Sequence, residues 1–175
     1  MQIPPGTVVV FFPGLVHLPE YTQKDGYISE KLLPDEHYML ILREDNSIID
    51  SRTAEKCPSN PYGLAQYVNH VPENCESNVF QYPFDFPGDP LGLDAFPTNL
   101  IKYIPNKYAL KPTLTGTVDR SALMRSMVLI TTKSLHDGDE LFMDYRLNSA
   151  HLPSWYHPYD AQSFTSEAGR EPRSR

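Results

Sequence analysis

Cysteine is scarce in this sequence, and its scarcity excludes two common ways of stabilising a small domain. Among 175 residues there are two cysteines, Cys57 and Cys75. Two thiols cannot build a framework of several disulfides or supply a four-thiolate zinc site. With no secretory segment ahead of them, we expect reduced thiols in an intracellular protein of the nucleus or the cytosol.

Basic residues are outnumbered, and long apolar runs are missing. The formal net charge is −7, whereas proteins that bind nucleic acid directly normally present a net basic surface. The apolar stretch VVVFF at 8–12 stops at Pro13 and is too short to cross a membrane. We therefore expect neither nucleic acid nor a membrane as a partner. A basic, lysine-containing peptide or protein fits the charge better.

Glycine is also infrequent, with 9 residues against 17 prolines. Abundant proline argues against long helices and uninterrupted sheets, so many short elements are expected. Strand patterns are GTVVVFF (6–12), HYMLIL (37–42), SIID (47–50), NVFQYPF (78–84), LMRSMVLITT (123–132) and ELFMDY (140–145). The part of the first pattern at 8–12 is expected to be buried. The loop REDN joins the second and third patterns, which predicts a β-hairpin.

One short helix is predicted in PTNLIKYIP, residues 97–105. Pro97 can open it and Pro105 must close it after about two turns, with Leu100, Ile101 and Ile104 on one face. The folded part is expected to end near Tyr159.

Two segments carry residues suited to a functional site: QYVNH at 66–70 and HDGDELFMDYR at 136–146. In the second, Asp137-Gly138 predicts a turn that leads into a strand ending at Tyr145. Each segment alone has an ordinary structural explanation. An Asn-His pair before a proline commonly forms a turn, and a tyrosine at a strand end commonly packs with its hydroxyl at the surface.

Together and in this order, the two segments resemble the motifs of the SET-domain family of S-adenosylmethionine-dependent protein lysine methyltransferases. The first family motif ends in Asn-His and is followed by a loop and a second Asn, as in Asn69-His70 and Asn78. The second motif, roughly Gly-Glu-Glu-Leu-x-Phe/Tyr-Asp-Tyr, is similar to GDELFMDY at 138–145. The segment IPPGTVVVFFPG at 3–14 is similar to the strand pair near the start of the domain.

This resemblance implies a mostly β fold, a SET-domain β-clip of several short sheets with a pseudoknot and few short helices. The SET domain is expected at 3–147, an aromatic post-SET segment at 148–162 and a disordered tail at 163–175. No Gly-x-Gly strand of the family's cofactor pocket precedes Ile3-Pro4. A chain without that strand is expected to bind the cofactor weakly.

The resemblance also assigns the site. It implies Tyr145 as the catalytic residue and S-adenosylmethionine as the cofactor, with a protein lysine as the methyl acceptor. The implied cofactor-binding residues are Tyr67, Asn69 and His70, and the implied substrate-channel residues are Phe142, Met143, Trp155 and Tyr156. Trp155 has a second explanation, that it only anchors the end of the chain on the core.

Two other functions are weighed against methyl transfer. A SET-like module that binds a peptide or protein without catalysis is favoured for this chain by the missing Gly-x-Gly strand. A metal hydrolase would need histidines paired at ligand spacing with a carboxylate on one regular element, and the six histidines are scattered. No metal site is therefore expected.

Overall fold

The computed structural model describes residues 1–27, 32, 40–52, 60–87, 97–110, 122–147, 154 and 156. Over these residues the protein is mostly β, with several small sheets and few short helices, which confirms the predicted fold class. The strands are β1 Gln2–Ile3, β2 Val8–Phe11, β3 Gly14–His17, β4 Leu40–Leu42, β5 Ile48–Asp50, β6 Asn69–His70, β7 Val79–Pro87, β8 Asn106–Tyr108, β9 Ala122–Thr131, β10 Leu135–His136 and β11 Phe142–Met143. The helices are α1 Pro19–Thr22 and the 3-10 turns Ala65–Tyr67 and Ile101–Tyr103.

The chain divides into two compact units. The first comprises Met1–Thr7, Val68–Phe80 and Thr131–Arg175, and the second comprises Val8–Tyr67 and Gln81–Ile130. Both motif segments singled out in the sequence have their strands, β6 and β11, in the first unit.

In the second unit, one sheet has the strand order β4-β5-β3-β8. The first two strands form the predicted hairpin, which is antiparallel and closed by a hydrogen bond from Arg43 N–H to Ser47 O of 2.9 Å. Asn46 takes a φ of 62° in its loop, a conformation that asparagine tolerates well. The central strands place Val16 and Ile49 in the core, where both are fully buried.

Most residues of the sheet with the order β2-β9-β7 also belong to this unit. The sheet's central strand β9 buries five consecutive residues, 125–129, among them the apolar Met127, Val128 and Leu129, so both of its faces are covered. The prediction that 8–12 forms a buried strand is wrong for β2. This strand lies at the edge of its sheet, and Val8 remains 45% exposed.

The predicted helix at 97–105 is also shorter than expected. Only Ile101–Tyr103 is helical, as a 3-10 turn, and the side chains of Leu100 and Ile101 are 41% and 43% exposed. The two prolines at its ends leave too few residues for regular helical bonds, so only turns such as Leu100 N–H to Pro97 O form. The sequence patterns did not predict β3 or β8, which pair with each other in parallel.

The first unit contains the two-stranded pairs β1-β10 and β6-β11. The chain leaves β10 through the predicted turn, where Gly138 has a φ of 92° and Asp139 N–H donates to His136 O at 3.1 Å. The apolar residues buried in this unit are Val68, Val71, Val79, Leu135, Met143 and Tyr156. Four of them lie on, or directly beside, the two motif segments.

Candidate functional site

Strands β6 and β11 bring the two motif segments into direct contact. They pair in parallel, with Asn69 opposite Phe142 and His70 opposite Met143. A further bond from Val71 N–H to Met143 O, of 3.0 Å, extends the pairing by one residue. Strands of two residues are too short to be stable alone, so other groups must hold this pair in register.

Asn78 supplies much of that support. Its side chain is buried, and its Nδ2 donates to Glu140 O at 2.8 Å while its Oδ1 accepts from Phe142 N–H at 2.8 Å. Its own backbone N–H donates to Phe142 O at 3.0 Å. The sequence motifs include this second asparagine, but the sequence prediction assigned it no role in the site. The sequence signal that could have identified Asn78 was its position after the loop that follows Asn69-His70.

Tyr145 is fixed at both its backbone and its hydroxyl. Its N–H donates to His70 Nδ1 at 3.2 Å, a bond between residues 75 positions apart. Its phenolic O–H donates to Val68 O at 2.8 Å. Burial raises the pKa of Tyr145, and a backbone hydrogen bond from His70 opposes that rise. The phenol is therefore protonated at neutral pH, with its proton directed at a carbonyl.

His70 is the hub of these contacts. Its imidazole is only 6% exposed, and Nδ1 accepts from the Tyr145 amide. When the ring is neutral, an accepting Nδ1 requires the proton to sit on Nε2. Asp144 Oδ1 lies 4.0 Å from the same nitrogen. The ring centroid lies 5.3 Å from that of Tyr145, with the planes tilted by 53°.

Tyr156 packs against the same histidine. Its ring stacks on His70 with centroids 4.4 Å apart and planes 23° apart. Its hydroxyl accepts from Leu147 N–H at 3.2 Å and donates to Asp144 Oδ1 at 3.4 Å. Burial raises the pKa of Tyr156, and the Asp144 charge adds to the effect. The side chain is thus a buried part of the Tyr145 surroundings.

Asn69 stands at the surface of this cluster. Its side chain is exposed, and Nδ2 donates to Glu140 Oε1 at 2.9 Å. An amide and a carboxylate exposed side by side can accept hydrogen bonds from an ammonium group and attract its charge. In the described part of the chain, no group of three or more His, Cys, Asp or Glu side chains has the arrangement to hold a metal ion.

No protein-family model matches the chain. Two curated relatives do: SET domain-containing protein 9 of Homo sapiens and of Pongo abelii, each 30% identical over 86 residues. The match covers 49% of this chain and 24% and 27% of the relatives, so the chain spans about a quarter of their length. The comparison supports a SET-domain relationship.

Within this SET-domain relationship, the structure brings together most of the residues that the sequence assigned to the site. Asn69, His70, Phe142, Met143 and Tyr145 lie on, or at the end of, the paired strands β6 and β11. Tyr156 joins them through His70, and Asn78 is the addition that the sequence reasoning missed.

The predicted residues differ in their exposure and in the unit to which they belong. Met143 is 6% exposed, so its thioether is part of the core, whereas Phe142 is half-buried. Tyr67 belongs to the second unit, where it ends the 3-10 turn Ala65–Tyr67 and is 53% exposed. Trp155 lies outside the described residues.

In the described ranges, no helix has the length and apolar character needed to cross a membrane.

Proposed function

We propose that this chain is a SET-type module that transfers a methyl group from S-adenosylmethionine to a lysine side chain of a protein, with Tyr145 as the catalytic residue. One observation carries the proposal. The parallel pairing of β6 and β11 sets Asn69-His70 beside the segment that ends in Tyr145, and Tyr145 is bonded to His70 and Val68.

The residues present fit the cofactor. S-adenosylmethionine carries an α-ammonium group and a sulfonium, and the exposed Asn69 amide beside the Glu140 carboxylate offers acceptors and negative charge to such groups. By the SET-domain resemblance, the backbone of His70 would bind the adenine, and Tyr67 would be a further cofactor-binding residue. When bound, the cofactor supplies an electrophilic methyl group.

The phenol of Tyr145 suits a positioning role more than proton transfer. Its raised pKa keeps the O–H intact at neutral pH, and the O–H donates a hydrogen bond to Val68 O. This hydrogen bond increases the partial negative charge on the phenolic oxygen. The oxygen can then attract a positively polarised methyl group and hold it in line with the attacking amine.

A lysine must be neutral to attack, although its ordinary pKa of about 10.4 keeps it protonated in water. Removal from water lowers the pKa of an amine, so a narrow apolar channel favours the reactive form. Phe142 and Met143 on β11 are proposed to line that channel beside Tyr145, with Trp155 and Tyr156 from the segment that follows.

The substrate class follows from charge. A chain of net charge −7 attracts basic segments, so we propose a lysine in a basic peptide or protein, such as a histone-like tail.

We also propose a specific relationship to SET domain-containing protein 9. The proline-flanked segment NPYGLAQYVN at 60–69 and the loop from Asn69 to Asn78 are the features that suggest it.

A second candidate is a SET-like module that binds a peptide or protein without catalysis. It is favoured by the hydrogen bonds that the site's polar side chains make with the protein itself. The Asn69 amide is bonded to Glu140, and the Tyr145 hydroxyl is bonded to Val68 O. Such a module would use the same surface for a partner and would not need the cofactor.

Calorimetric titration with S-adenosylmethionine separates these two candidates. The methyltransferase proposal predicts saturable binding at one site, weakened about tenfold or more by Asn69→Ala, because a charged ligand group loses its amide partner. Asn60→Ala is the matched control, since the Asn60 amide donates to Tyr103 O in the second unit. Wild-type protein that gives no binding heat would favour the non-catalytic module.

A further inference from the structure

Besides its proposed place in the substrate channel, Tyr156 makes two kinds of contact with the surroundings of Tyr145. Its ring lies flat on the His70 imidazole, and its hydroxyl is bonded to Leu147 N–H and Asp144 Oδ1. His70 and Asp144 both adjoin Tyr145: His70 Nδ1 accepts from the Tyr145 N–H, and Asp144 precedes Tyr145 in the chain. One side chain thus touches both supports of the proposed catalytic residue.

The first support is the histidine ring. The hydrogen bond from Tyr145 N–H requires the Nδ1 lone pair, which lies in the plane of the imidazole, to point at that amide. A stacked ring 4.4 Å away restricts rotation of the imidazole out of this plane. Removing the stacking ring frees His70 to rotate and weakens its hold on the Tyr145 backbone.

The second support is the turn that follows Tyr145. Arg146 has a φ of 50°, a left-handed conformation that is costly for a residue with a side chain. Asp144 Oδ1 stabilises the turn by accepting from Arg146 N–H at 3.0 Å, and the Tyr156 hydroxyl bonds both that carboxylate and Leu147 N–H. Loss of this hydroxyl leaves the turn with fewer bonds to hold its strained residue.

We propose that Tyr156 is a positioning residue for Tyr145, acting through the His70 ring and through the turn at 144–147. This inference rests on the proposed methyl transfer and deepens it. It assigns the segment after the catalytic tyrosine a part in placing the phenol. A shift of about 1 Å in a reacting group can lower a rate about a hundredfold, so this support matters for turnover.

Two variants separate the ring from the hydroxyl. Tyr156→Phe keeps the ring stack on His70 and removes the hydrogen bonds to Asp144 and Leu147. Tyr156→Ala removes the ring stack as well as these hydrogen bonds. The matched control is Tyr27→Phe, because Tyr27 also contacts a histidine, here through a hydrogen bond of 2.9 Å between its hydroxyl and His17 Nδ1, but in the second unit.

Two measurements are made on the full chain. Amide hydrogen exchange followed by nuclear magnetic resonance reports on Tyr145 N–H without any ligand. Steady-state transfer from tritiated S-adenosylmethionine to purified core histones gives kcat and KM. We expect exchange at Tyr145 to accelerate about tenfold in Tyr156→Ala and less in Tyr156→Phe, with kcat falling in the same order and KM changing less than about threefold. Tyr27→Phe should leave both readouts at the wild-type value.

The results separate this inference from the proposed function. Suppose that the wild-type chain transfers methyl groups, and that Tyr145 exchange and kcat are unchanged in Tyr156→Phe and in Tyr156→Ala. This result overturns the positioning role and leaves the proposed function standing. If Tyr156→Ala does not fold, Tyr156→Phe decides: slower turnover with faster Tyr145 exchange supports the role, and wild-type values of both overturn it. A wild-type chain that neither binds the cofactor nor transfers methyl groups overturns the proposed function, and the positioning role with it.

Discussion

The side-chain amide of Asn78 shows what a single residue contributes to this site. Nδ2 donates to Glu140 O, and Oδ1 accepts from Phe142 N–H, so the two ends of the amide have opposite tasks. The residue is 6% exposed, and water cannot replace either bond easily. Strand β11 is held to the loop before β7 by these bonds.

Asn78→Asp should therefore destabilise the protein although the side chain keeps its shape. A carboxylate cannot donate to Glu140 O, and it places negative charge against that carbonyl. We expect a loss of about 2 to 3 kcal/mol in the free energy of unfolding, measured by urea denaturation. Asn69→Ala is the control, because the exposed Asn69 should cost about 0.5 kcal/mol or less. An Asn78→Asp protein as stable as the control would contradict this assignment.

At the scale of elements, β3 depends on one glycine. Gly14 begins this strand with a φ of 128°, and a Cβ built there would lie 2.1 Å from Asp50 O on the neighbouring strand β5. No real Cβ approaches a backbone oxygen that closely. The strand can enter the middle of its sheet only because this position carries no side chain.

Gly14→Ala is accordingly expected to cost more than about 3 kcal/mol of stability, since the added carbon must displace the backbone of β5. Gly6→Ala provides a matched comparison. Gly6 also has a positive φ, of 80°, but apart from Gly6 and its two chain neighbours no atom of the described residues lies within 4 Å of the point that a Cβ would occupy there, so roughly 1 to 2 kcal/mol is expected. Equal melting temperatures for the two variants would refute the close-approach argument.

The elements that the sequence predicted are those with strong local signals. The hairpin β4–β5 has two apolar strands around a polar loop, and β9 contains the apolar run Met127–Ile130, so neither needs distant information. Strand β3 has only four residues, and its parallel partner β8 lies far along the chain. The helix at 97–105 was overestimated because spacing of apolar residues does not reveal that Leu100 and Ile101 stay exposed.

The site itself was predicted by resemblance and not by local pattern. Strands of two residues, β6 and β11, give no periodicity that could reveal their pairing, and the bond from Tyr145 N–H to His70 joins residues 75 positions apart. The motif residues Asn69, His70 and Tyr145 carried the information. The stacking of Tyr156 on His70 could not be predicted, because a pattern of aromatic residues does not say which ring each one meets.

For the molecule as a whole, the mostly β fold was predicted from abundant proline and short apolar patterns. Two compact units were not predicted, because the first unit combines three segments from separate parts of the sequence. The net charge of −7 agrees with the proposed basic substrate. The curated relatives match over 86 residues, which supports the SET-domain relationship and leaves the reaction to be tested directly.

Transfer of tritium from labelled S-adenosylmethionine to core histones, by wild-type protein and by Tyr145→Phe, tests the central claim most directly. The variant loses one hydroxyl and its bond to Val68 O, so it should fold with a stability loss of about 1 kcal/mol. We predict that kcat falls about a hundredfold or more. Tyr82→Phe, at a tyrosine that is 52% exposed in the second unit, should keep wild-type turnover. A wild-type chain that transfers no label, or a Tyr145→Phe chain that transfers it at the wild-type rate, would contradict the account.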